Sequence, residues 1–224
     1  MQNTARKCLY ERSKPSYVNL ILNIIIVLFF FVLIAEVVFN SVYTNIYVKG
    51  SSMAPTLIGA PNSDSLVTEG GDYVFVNTRG TPDYSDIVVV KTKSNGMTYN
   101  IIKRVVAFGG DTVKIDRGQL WVKYKGDLEF TKIDESYVLE ENNSPTYEFN
   151  TFGEHVVQDG CMFLLGDNRD VSEDSRRRGD YLMTDLVGVV PKWSLKYKSA
   201  ITSIYTFFEF KLGFGRMSGT FFSY

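Results

Sequence analysis

The sequence predicts a mainly β domain preceded by one membrane-spanning helix. Several short runs are rich in β-branched and aromatic residues and are bounded by Gly, Asp, Asn or Pro, which is typical of strands. One long apolar segment lies near the N-terminus. No convincing amphipathic helix follows that segment, so we expect strands to build the remainder. The clearest runs are 72–77, 86–91, 119–122 and 162–165.

Residues 18–39 are predicted to cross a membrane. The stretch from Tyr17 to Ala35 contains no charged residue, and 22 helical residues span roughly 33 Å at ~1.5 Å per residue. The tail, residues 1–17, carries an excess of basic residues, which favours a cytoplasmic N-terminus and places the remaining chain outside. A cleavable signal peptide also begins this way, but no Ala-x-Ala-like pattern follows. We therefore expect a single uncleaved anchor.

The rest of the chain is divided by composition. A length of 224 residues suits one main domain, which we place outside the membrane at residues 40–200. A small peripheral insertion is expected around 112–160, where the acidic stretch 128–150 is irregular. Residues 201–224 form an aromatic tail, and both packing on the domain and lying at the membrane interface are open.

Composition excludes several classes of function. Hydrophobic residues make up 45% of the chain, which argues against disorder, and the net charge of −1 gives no indication of a nucleic-acid partner. The single histidine, His155, excludes a His-pair metal site and is expected to be a surface or half-buried structural residue. Cys161 is interpreted as buried and apolar, and the apolar segment separates it from Cys8. We expect no metal and no cofactor.

The stretch Gly50 to Leu57 offers a serine in a constrained loop. Pro55 restricts the backbone just after Ser52, and Gly50, which lacks a Cβ, allows another backbone to approach closely. A rigid loop that carries a hydroxyl suits a nucleophile that must be aimed. Such loops are also common as plain turns, so further residues are needed to support catalysis.

Those residues lie in two later stretches. In a strand, Ile101, Lys103, Val105 and Ala107 share one face, and an ammonium between apolar neighbours loses hydration, which lowers its pKa. A neutral lysine can then take the proton of a serine, although a snorkelling lysine on an edge strand would give the same pattern. The stretch 166–176 is dense in short polar side chains and is expected to be an ordered loop.

Together these stretches resemble the bacterial type I signal peptidases, the Ser/Lys-dyad peptidases of family S26. The resemblance rests on three motifs in family order and covers most of the chain from Tyr47 to about Gly188. The motif residues are Gly50-x-Ser52-Met53-x-Pro55-Thr56-Leu57, Lys103-Arg104-Val105 with Gly109-Gly110-Asp111, and Gly166-Asp167-Asn168-Arg169-Asp170-x-Ser172-x-Asp174-Ser175-Arg176.

The resemblance implies a function and a fold. The chain would be a membrane-anchored serine endopeptidase that removes signal peptides from exported preproteins by cutting after small residues. The implied fold is a coiled antiparallel β-sheet or barrel. Expected partners are preprotein signal peptides and the lipid bilayer, and we expect a monomer in the cell membrane.

The resemblance also implies roles for individual residues. Ser52 would be the nucleophile and Lys103 the general base, with the Ser52 backbone N–H helping to hold the oxyanion. Gly50 has no side chain with which to add a second donor. The supporting residues would be Ser172, which orients Lys103, Asp174 and Arg176, which brace the loop, and the ion pair of Arg104 with Asp167. The substrate pockets would involve Val48, Leu57, Asn100, Ile101 and Ile102.

Two other functions remain as alternatives. A non-proteolytic relative could serve as an assembly factor for surface proteins, but such a protein would not need both Ser52 and Lys103. A self-cleaving regulator of the repressor type is disfavoured by the anchor and by the lack of a DNA-binding segment before it.

Overall fold

The computed structural model describes residues 17–60, 70–94, 96–208 and 219–222, and it confirms a mainly β chain with one long N-terminal helix. The described helices are α1 (Tyr17–Val42), α2 (Ser175–Arg178), α3 (Lys192–Lys196) and α4 (Lys198–Thr206). The described strands are β1 (Tyr43–Lys49), β2 (Tyr73–Asn77), β3 (Ile87–Ser94), β4 (Met97–Phe108), β5 (Thr112–Asp116), β6 (Gln119–Lys123), β7 (Thr131–Lys132), β8 (Phe152–Val156), β9 (Cys161–Leu165), β10 (Tyr181–Leu182), β11 (Leu186–Val189) and β12 (Gly219–Phe222).

Helix α1 is long and apolar enough to cross a membrane. Its 26 residues span about 39 Å at ~1.5 Å per residue, and none of its side chains is buried within the protein. It begins one residue before the predicted segment 18–39 and ends three residues after it. The chain divides into two compact units at this helix, Met1–Ser41 and Val42–Tyr224, and the second unit contains every described strand.

The larger sheet has eight strands in the order β10-β9-β4-β3-β11-β2-β1-β12. Neighbouring strands are antiparallel, except that β1 and β12 are parallel. Strand β4 is the longest, and it pairs with β3 over eight residues from Arg104 back to Met97. The described strands form an open sheet and not the closed barrel that was one of the two predicted forms.

The predicted insertion contains a second sheet. Its order is β7-β6-β5-β8, and every described pairing is antiparallel. Alternate residues of β5 and β6, among them Val113 and Leu120, are buried and pack against Phe163 of β9. This alternation of buried and more exposed side chains is expected where one face of a sheet is covered.

Helices α3 and α4 correct the expectation that no helix follows the anchor. Both are short, and Ile201 is the one buried apolar residue of α4, so no long apolar stripe marks it in the sequence. The ring of Tyr205 stacks on Tyr73 with centroids 5.0 Å apart. The first part of the predicted tail therefore packs on the domain.

These helices also complete the hydrogen bonding of β2. Strand β11 pairs with β2 only at Asn77, which leaves backbone donors along the rest of that edge. The N–H of Phe75 donates to Ser194 Oγ at 2.7 Å, and the N–H of Tyr73 donates to Thr202 Oγ1 at 2.8 Å. Helix hydroxyls thus replace a neighbouring strand and blunt an edge that would otherwise be open to pairing.

Candidate active site

The serine loop follows directly from β1. Gly50 adopts a φ of 77° immediately after the strand, a left-handed conformation that glycine tolerates best. A Cβ on Gly59 would clash with the Gly50 carbonyl oxygen, so the two backbones lie as close as the sequence predicted. The peptide bond between Ala54 and Pro55 is cis. Ser52 is 2% exposed, and its carbonyl oxygen accepts a hydrogen bond from the N–H of Asn168 at 3.0 Å.

Strand β4 brings Lys103 to this serine. The amine Nζ lies 2.8 Å from Ser52 Oγ and donates a second hydrogen bond to the Ile102 carbonyl at 3.1 Å. The residue is 0% exposed. The lysine therefore does not snorkel to solvent, and its amine is held against a hydroxyl inside the domain.

Burial decides the ionisation of Lys103. Desolvation lowers the pKa of this amine from 10.5 to about 8, although the nearby carboxylates of Asp174 and Asp167 act in the opposite direction. At pH 7 about one molecule in ten then carries the neutral amine, compared with about one in 3000 for a lysine in solution. The site therefore holds a usable base beside a hydroxyl.

The side chains of β4 alternate between its two faces, as predicted, as far as an irregularity between Val105 and Ala107. Ile101 and Val105 pack in one cluster with Val88 and Val90 of β3, as expected for residues on the same face as Lys103. Ala107 joins a different cluster, because the pairing with β9 shifts between Val105 and Ala107. The expectation that Ala107 shares the lysine's face is therefore wrong, and the cause is this irregularity.

The loop after β9 closes over the serine from the other side. A Cβ on Gly166 would lie 2.6 Å from the Ser52 carbonyl oxygen and would also clash with Ser172 Oγ. Only glycine fits between these two residues. This packing explains why the third motif begins with glycine and how it holds the first motif in position.

Ser172 lies buried beside this contact. Its backbone N–H donates to the Asn168 carbonyl at 3.1 Å. Within the described residues, Ser172 Oγ has no hydrogen-bond partner of good geometry, so the structure does not show the predicted bond to Lys103. The hydroxyl is still close enough to Asp174 to help lower the pKa of that carboxylate. A buried hydroxyl with an unused acceptor therefore stands in the site.

Asp174 and Arg176 form a buried pair within the same loop. The guanidinium donates to both carboxylate oxygens, at 2.8 Å and 2.9 Å, and the N–H of Gly166 donates to the carboxylate at 3.0 Å. Burial raises the pKa of Asp174, but the charge and hydrogen bonds of Arg176 outweigh it and hold that pKa below its ordinary value. The carboxylate is therefore ionised, and it also caps helix α2.

Arg104 and Asp167 form a second bidentate ion pair. Nε and Nη2 of the arginine lie 2.8 Å and 2.6 Å from the two carboxylate oxygens, and Asp167 is 0% exposed. Arg104 also donates to the Ser85 carbonyl at 2.8 Å and packs over the Tyr137 ring at 3.8 Å. This pair joins the residue after Lys103 to the loop that carries Ser172.

The residues predicted to line substrate pockets do not form one cluster. Val48, Leu57 and Ile102 are buried together. Ile101 packs in the cluster on the other face of β4, and Asn100 is half-buried opposite Lys91 of β3. The three clustered residues therefore lie beside the serine loop, whereas Ile101 points into a separate part of the core.

The structure adds supporting contacts that the sequence analysis did not assign, with partners from outside the three motifs. Arg169 is fully buried and forms an ion pair with Glu135, a residue from the irregular acidic stretch. Asn150 accepts from Arg176 Nη1 at 2.5 Å and donates to Asp170 at 2.7 Å. Residues 128–150, which were predicted to be peripheral, thus brace the third-motif loop, residues 166–176. No sequence signal separates Glu135 from its acidic neighbours.

His155 and Cys161 occupy structural positions. His155 is half-buried, as predicted, and its Nε2 lies 2.8 Å from Asp180 Oδ1. Cys161 is buried, as predicted, and burial raises the pKa of its thiol. Cys8 lies outside the described residues. Among the residues that are described, no three His, Cys, Asp or Glu side chains are grouped to hold a metal.

Comparison with known proteins assigns this arrangement to a family. The model of "Signal peptidase, peptidase S26" matches residues 21–197, which is more than three quarters of the chain. The chain belongs to the S26 signal peptidase family. It is accordingly a serine peptidase and thus a hydrolase.

Individual members of the S26 family show moderate similarity. Signal peptidase I S of Bacillus subtilis is 31% identical over 65% of this chain and 72% of its own length. Signal peptidase I P of Bacillus subtilis subsp. natto is 30% identical over 80% of this chain and 89% of its own length. A crystal structure of a signal peptidase I from Enterococcus faecalis superposes with a TM-score of 0.42 at 24% identity, over 50% of this chain and 98% of that chain.

Proposed function

We propose that Ser52 is the nucleophile and Lys103 the general base of a peptidase that removes signal peptides from exported preproteins. One observation carries the proposal, the 2.8 Å contact between the buried lysine amine and the serine hydroxyl. Membership of the family supports the reaction type and the substrate class. No contact favours the alternative of a non-proteolytic assembly factor.

Acylation follows from the geometry. The neutral amine of Lys103 takes the proton of Ser52 as Oγ bonds to the carbonyl carbon of the scissile peptide. The backbone N–H of Ser52 stabilises the oxyanion that forms. The carbon–nitrogen bond then breaks, and the departing amine takes the proton from the lysine ammonium. An ester on Ser52 remains.

Deacylation uses the same base. Lys103 takes a proton from water, and the resulting hydroxide attacks the ester carbon. The bond to Ser52 Oγ breaks, and this oxygen recovers the proton from the lysine. Ser172 Oγ is the spare acceptor that holds the lysine ammonium while Ser52 is acylated, which accounts for a buried hydroxyl that has no well-placed hydrogen-bond partner among the described residues.

The remaining residues hold these groups in place. The ion pairs of Asp174 with Arg176 and of Arg104 with Asp167 fix the third-motif loop against β4. Val48, Leu57 and Ile102 form the apolar wall of shallow pockets that accept small side chains one and three positions before the cut. Larger side chains at these two substrate positions should lower kcat/KM. Equal cleavage of substrates with large and small side chains there would contradict the proposed specificity.

We further propose the arrangement at the membrane. Helix α1 anchors a monomer in the cell membrane with the basic N-terminal tail in the cytoplasm, and the domain after it lies outside. Protease added to intact spheroplasts should then degrade the domain and spare the N-terminal tail. Protection of the domain would contradict this orientation.

The decisive experiment is cleavage of a purified preprotein in detergent. Ser52→Ala should abolish cleavage, and Lys103→Met should lower kcat/KM roughly 10²–10⁴-fold, the range that general-base catalysis contributes. Lys114→Met is the matched control, because Lys114 lies on β5 of the second sheet, where its amine makes a partly exposed ion pair with Glu154 and lies over the Phe130 ring. Circular dichroism checks the fold of each variant. Full activity of Lys103→Met would overturn the dyad.

A further inference from the structure

Strand β12 occupies the edge of the sheet that leads to the nucleophile. Strand β1 pairs with β2 along one edge and with β12 along the other. The register of β12 joins Ile46 to Gly219 and Lys49 to Phe222, so the two strands run in the same direction. Because β1 reaches Ser52 three residues after its end, a strand parallel to β1 runs towards the reacting serine.

The same strand lies against the strand of the base. Strand β12 contacts β4, which carries Lys103. Strand β9 pairs with β4 only from Arg104 onward, so the half of β4 before the lysine is not covered by β9. Strand β12 therefore contacts both the strand that leads to Ser52 and the strand that carries Lys103.

An extended peptide substrate needs this position. To present its scissile bond to Ser52, a peptide must lie extended beside the serine, and the backbone edge of β1 is the part of the sheet that leads there. Peptides that add a strand to a sheet gain affinity through backbone hydrogen bonds, whatever their side chains. A strand of the chain itself can therefore take the place of a preprotein.

The sequence of β12 suits a competitor more than a substrate. Cleavage after small residues needs small side chains at alternate positions of the strand. The alternate pairs are Gly219 with Phe221 and Thr220 with Phe222, and each contains a phenylalanine. Neither pair meets the requirement.

We infer that β12 is an autoinhibitory strand that competes with preprotein signal peptides for the edge of β1. This inference rests on the proposed function. A tethered segment acts at an effective concentration on the order of millimolar, so even weak pairing keeps the edge occupied for much of the time. The simpler alternative is that β12 only covers an exposed sheet edge, and the two roles differ in substrate kinetics.

The test is a proline substitution in the strand. Residues of β1 that bond to β2 alternate with residues that face β12, and the N–H of Val48 donates to the Asp72 carbonyl on the β2 side. In the register of β12, the donor that faces β1 is therefore the N–H of Phe221, opposite the Tyr47 carbonyl. Phe221→Pro removes this N–H from the ladder, so β12 should detach. With the full chain in detergent, KM for a preprotein should fall about two- to tenfold while kcat stays the same. Phe221→Val is the matched control, because it removes the same ring but keeps the N–H and favours a strand, and it should behave like wild type. An unchanged KM for Phe221→Pro would overturn the inference.

A peptide added in trans gives a second, independent measurement. A synthetic peptide of residues 215–224 should inhibit Phe221→Pro competitively, and the same peptide with proline at position 221 should not. Absence of inhibition, or non-competitive inhibition, would contradict the inference. The intact mass of wild type should also stay constant during the assay, since cleavage within the tail would make it a substrate.

Failure of the inference can be told from failure of the proposed function. If wild type cleaves no preprotein, or if Ser52→Ala still cleaves, the proposed function fails. Hydrogen exchange tests the pairing without any turnover. The amides of Tyr47 and Lys49, which face β12, should exchange faster in Phe221→Pro than in Phe221→Val, whereas the amide of Val48, which donates to the Asp72 carbonyl, should not change. Equal rates at Tyr47 and Lys49 would show that β12 does not protect this edge.

Discussion

Lys103 is a fully buried residue with an ionisable amine, and its burial lowers the free energy of unfolding by an amount that depends on pH. Its pKa is lowered to about 8 in the folded chain, so the unfolded chain binds more protons between pH 8 and 10.5. Stability therefore rises with pH through that window. Below pH 8 the burial of the amine costs about 3 kcal/mol, and above pH 10.5 that cost disappears.

The same pKa predicts a pH profile for activity. If the neutral amine is the base, kcat/KM should rise about tenfold per pH unit below pH 8 and level off above it. Lys103→Met should remove this dependence and should also stabilise the fold by up to about 3 kcal/mol at pH 7, measured by urea unfolding. A wild-type profile that is flat from pH 6 to 8 would contradict the role of the lysine.

Gly166 lies between the serine loop and Ser172 with no room for a side chain. A methyl group there meets the Ser52 carbonyl and Ser172, so Gly166→Ala must displace one of the two loops. Because a displacement of about 1 Å can cost 10²-fold in rate, we expect kcat to fall by about that factor. The measurement is the kcat of each variant on one preprotein. Gly153→Ala is the control, since a Cβ at Gly153 meets nothing within 4 Å, and it should keep wild-type kcat.

At the scale of elements, strand β2 depends on helices for its backbone partners. The N–H of Phe75 donates to the hydroxyl of Ser194, which is 0% exposed. Helix α3 thus does more than pack against the sheet, because it supplies an acceptor that a neighbouring strand would otherwise provide.

Removing this hydroxyl should therefore destabilise the domain. Ser194→Ala removes the acceptor of this partly buried N–H, and we expect a loss of about 0.5–1.5 kcal/mol in the free energy of unfolding, the net contribution of a typical hydrogen bond. Ser203→Ala is the control, because Ser203 is exposed and bonds only to Ser199 of its own helix. Urea denaturation measures both. Equal stability of the two variants would show that the N–H finds another acceptor.

At the scale of the whole molecule, the irregular stretch before β8 is tied to the candidate site. The carboxylate of Glu135 pairs with Arg169, which is fully buried, and Arg169 lies between the motif residues Gly166 and Ser172. Removing one partner of a buried pair leaves an uncompensated charge inside the protein.

Glu135→Ala should accordingly lower stability by about 3–5 kcal/mol and reduce activity by loosening the third-motif loop. Glu129→Ala provides the control, since Glu129 belongs to the same acidic stretch and is exposed. Thermal unfolding and preprotein cleavage should be measured together. A variant that is destabilised but fully active would show that the ion pair supports the fold alone.

The limits of prediction follow from the range of each interaction. The strands and the stretches around Ser52 and Lys103 could be predicted, because local patterns and motifs mark them. The pair of Glu135 and Arg169 could not, since it joins residues 34 positions apart and any acidic neighbour would have fitted as well. The bulge after Val105 was missed for a related reason, because it depends on the register of β9.

The contacts that brace the third-motif loop determine which segments of this peptidase could be exchanged with those of a relative. Arg104 contacts Tyr137, Arg169 contacts Glu135, and Arg176 contacts Asn150. Three cationic side chains near the motifs thus fit acceptors or rings contributed by one loosely patterned stretch. A chimera that replaced residues 166–176 alone would inherit mismatched partners. Transplanting them together with 128–150 keeps the contacts of Arg169 and Arg176 matched, so these two segments should be exchanged together.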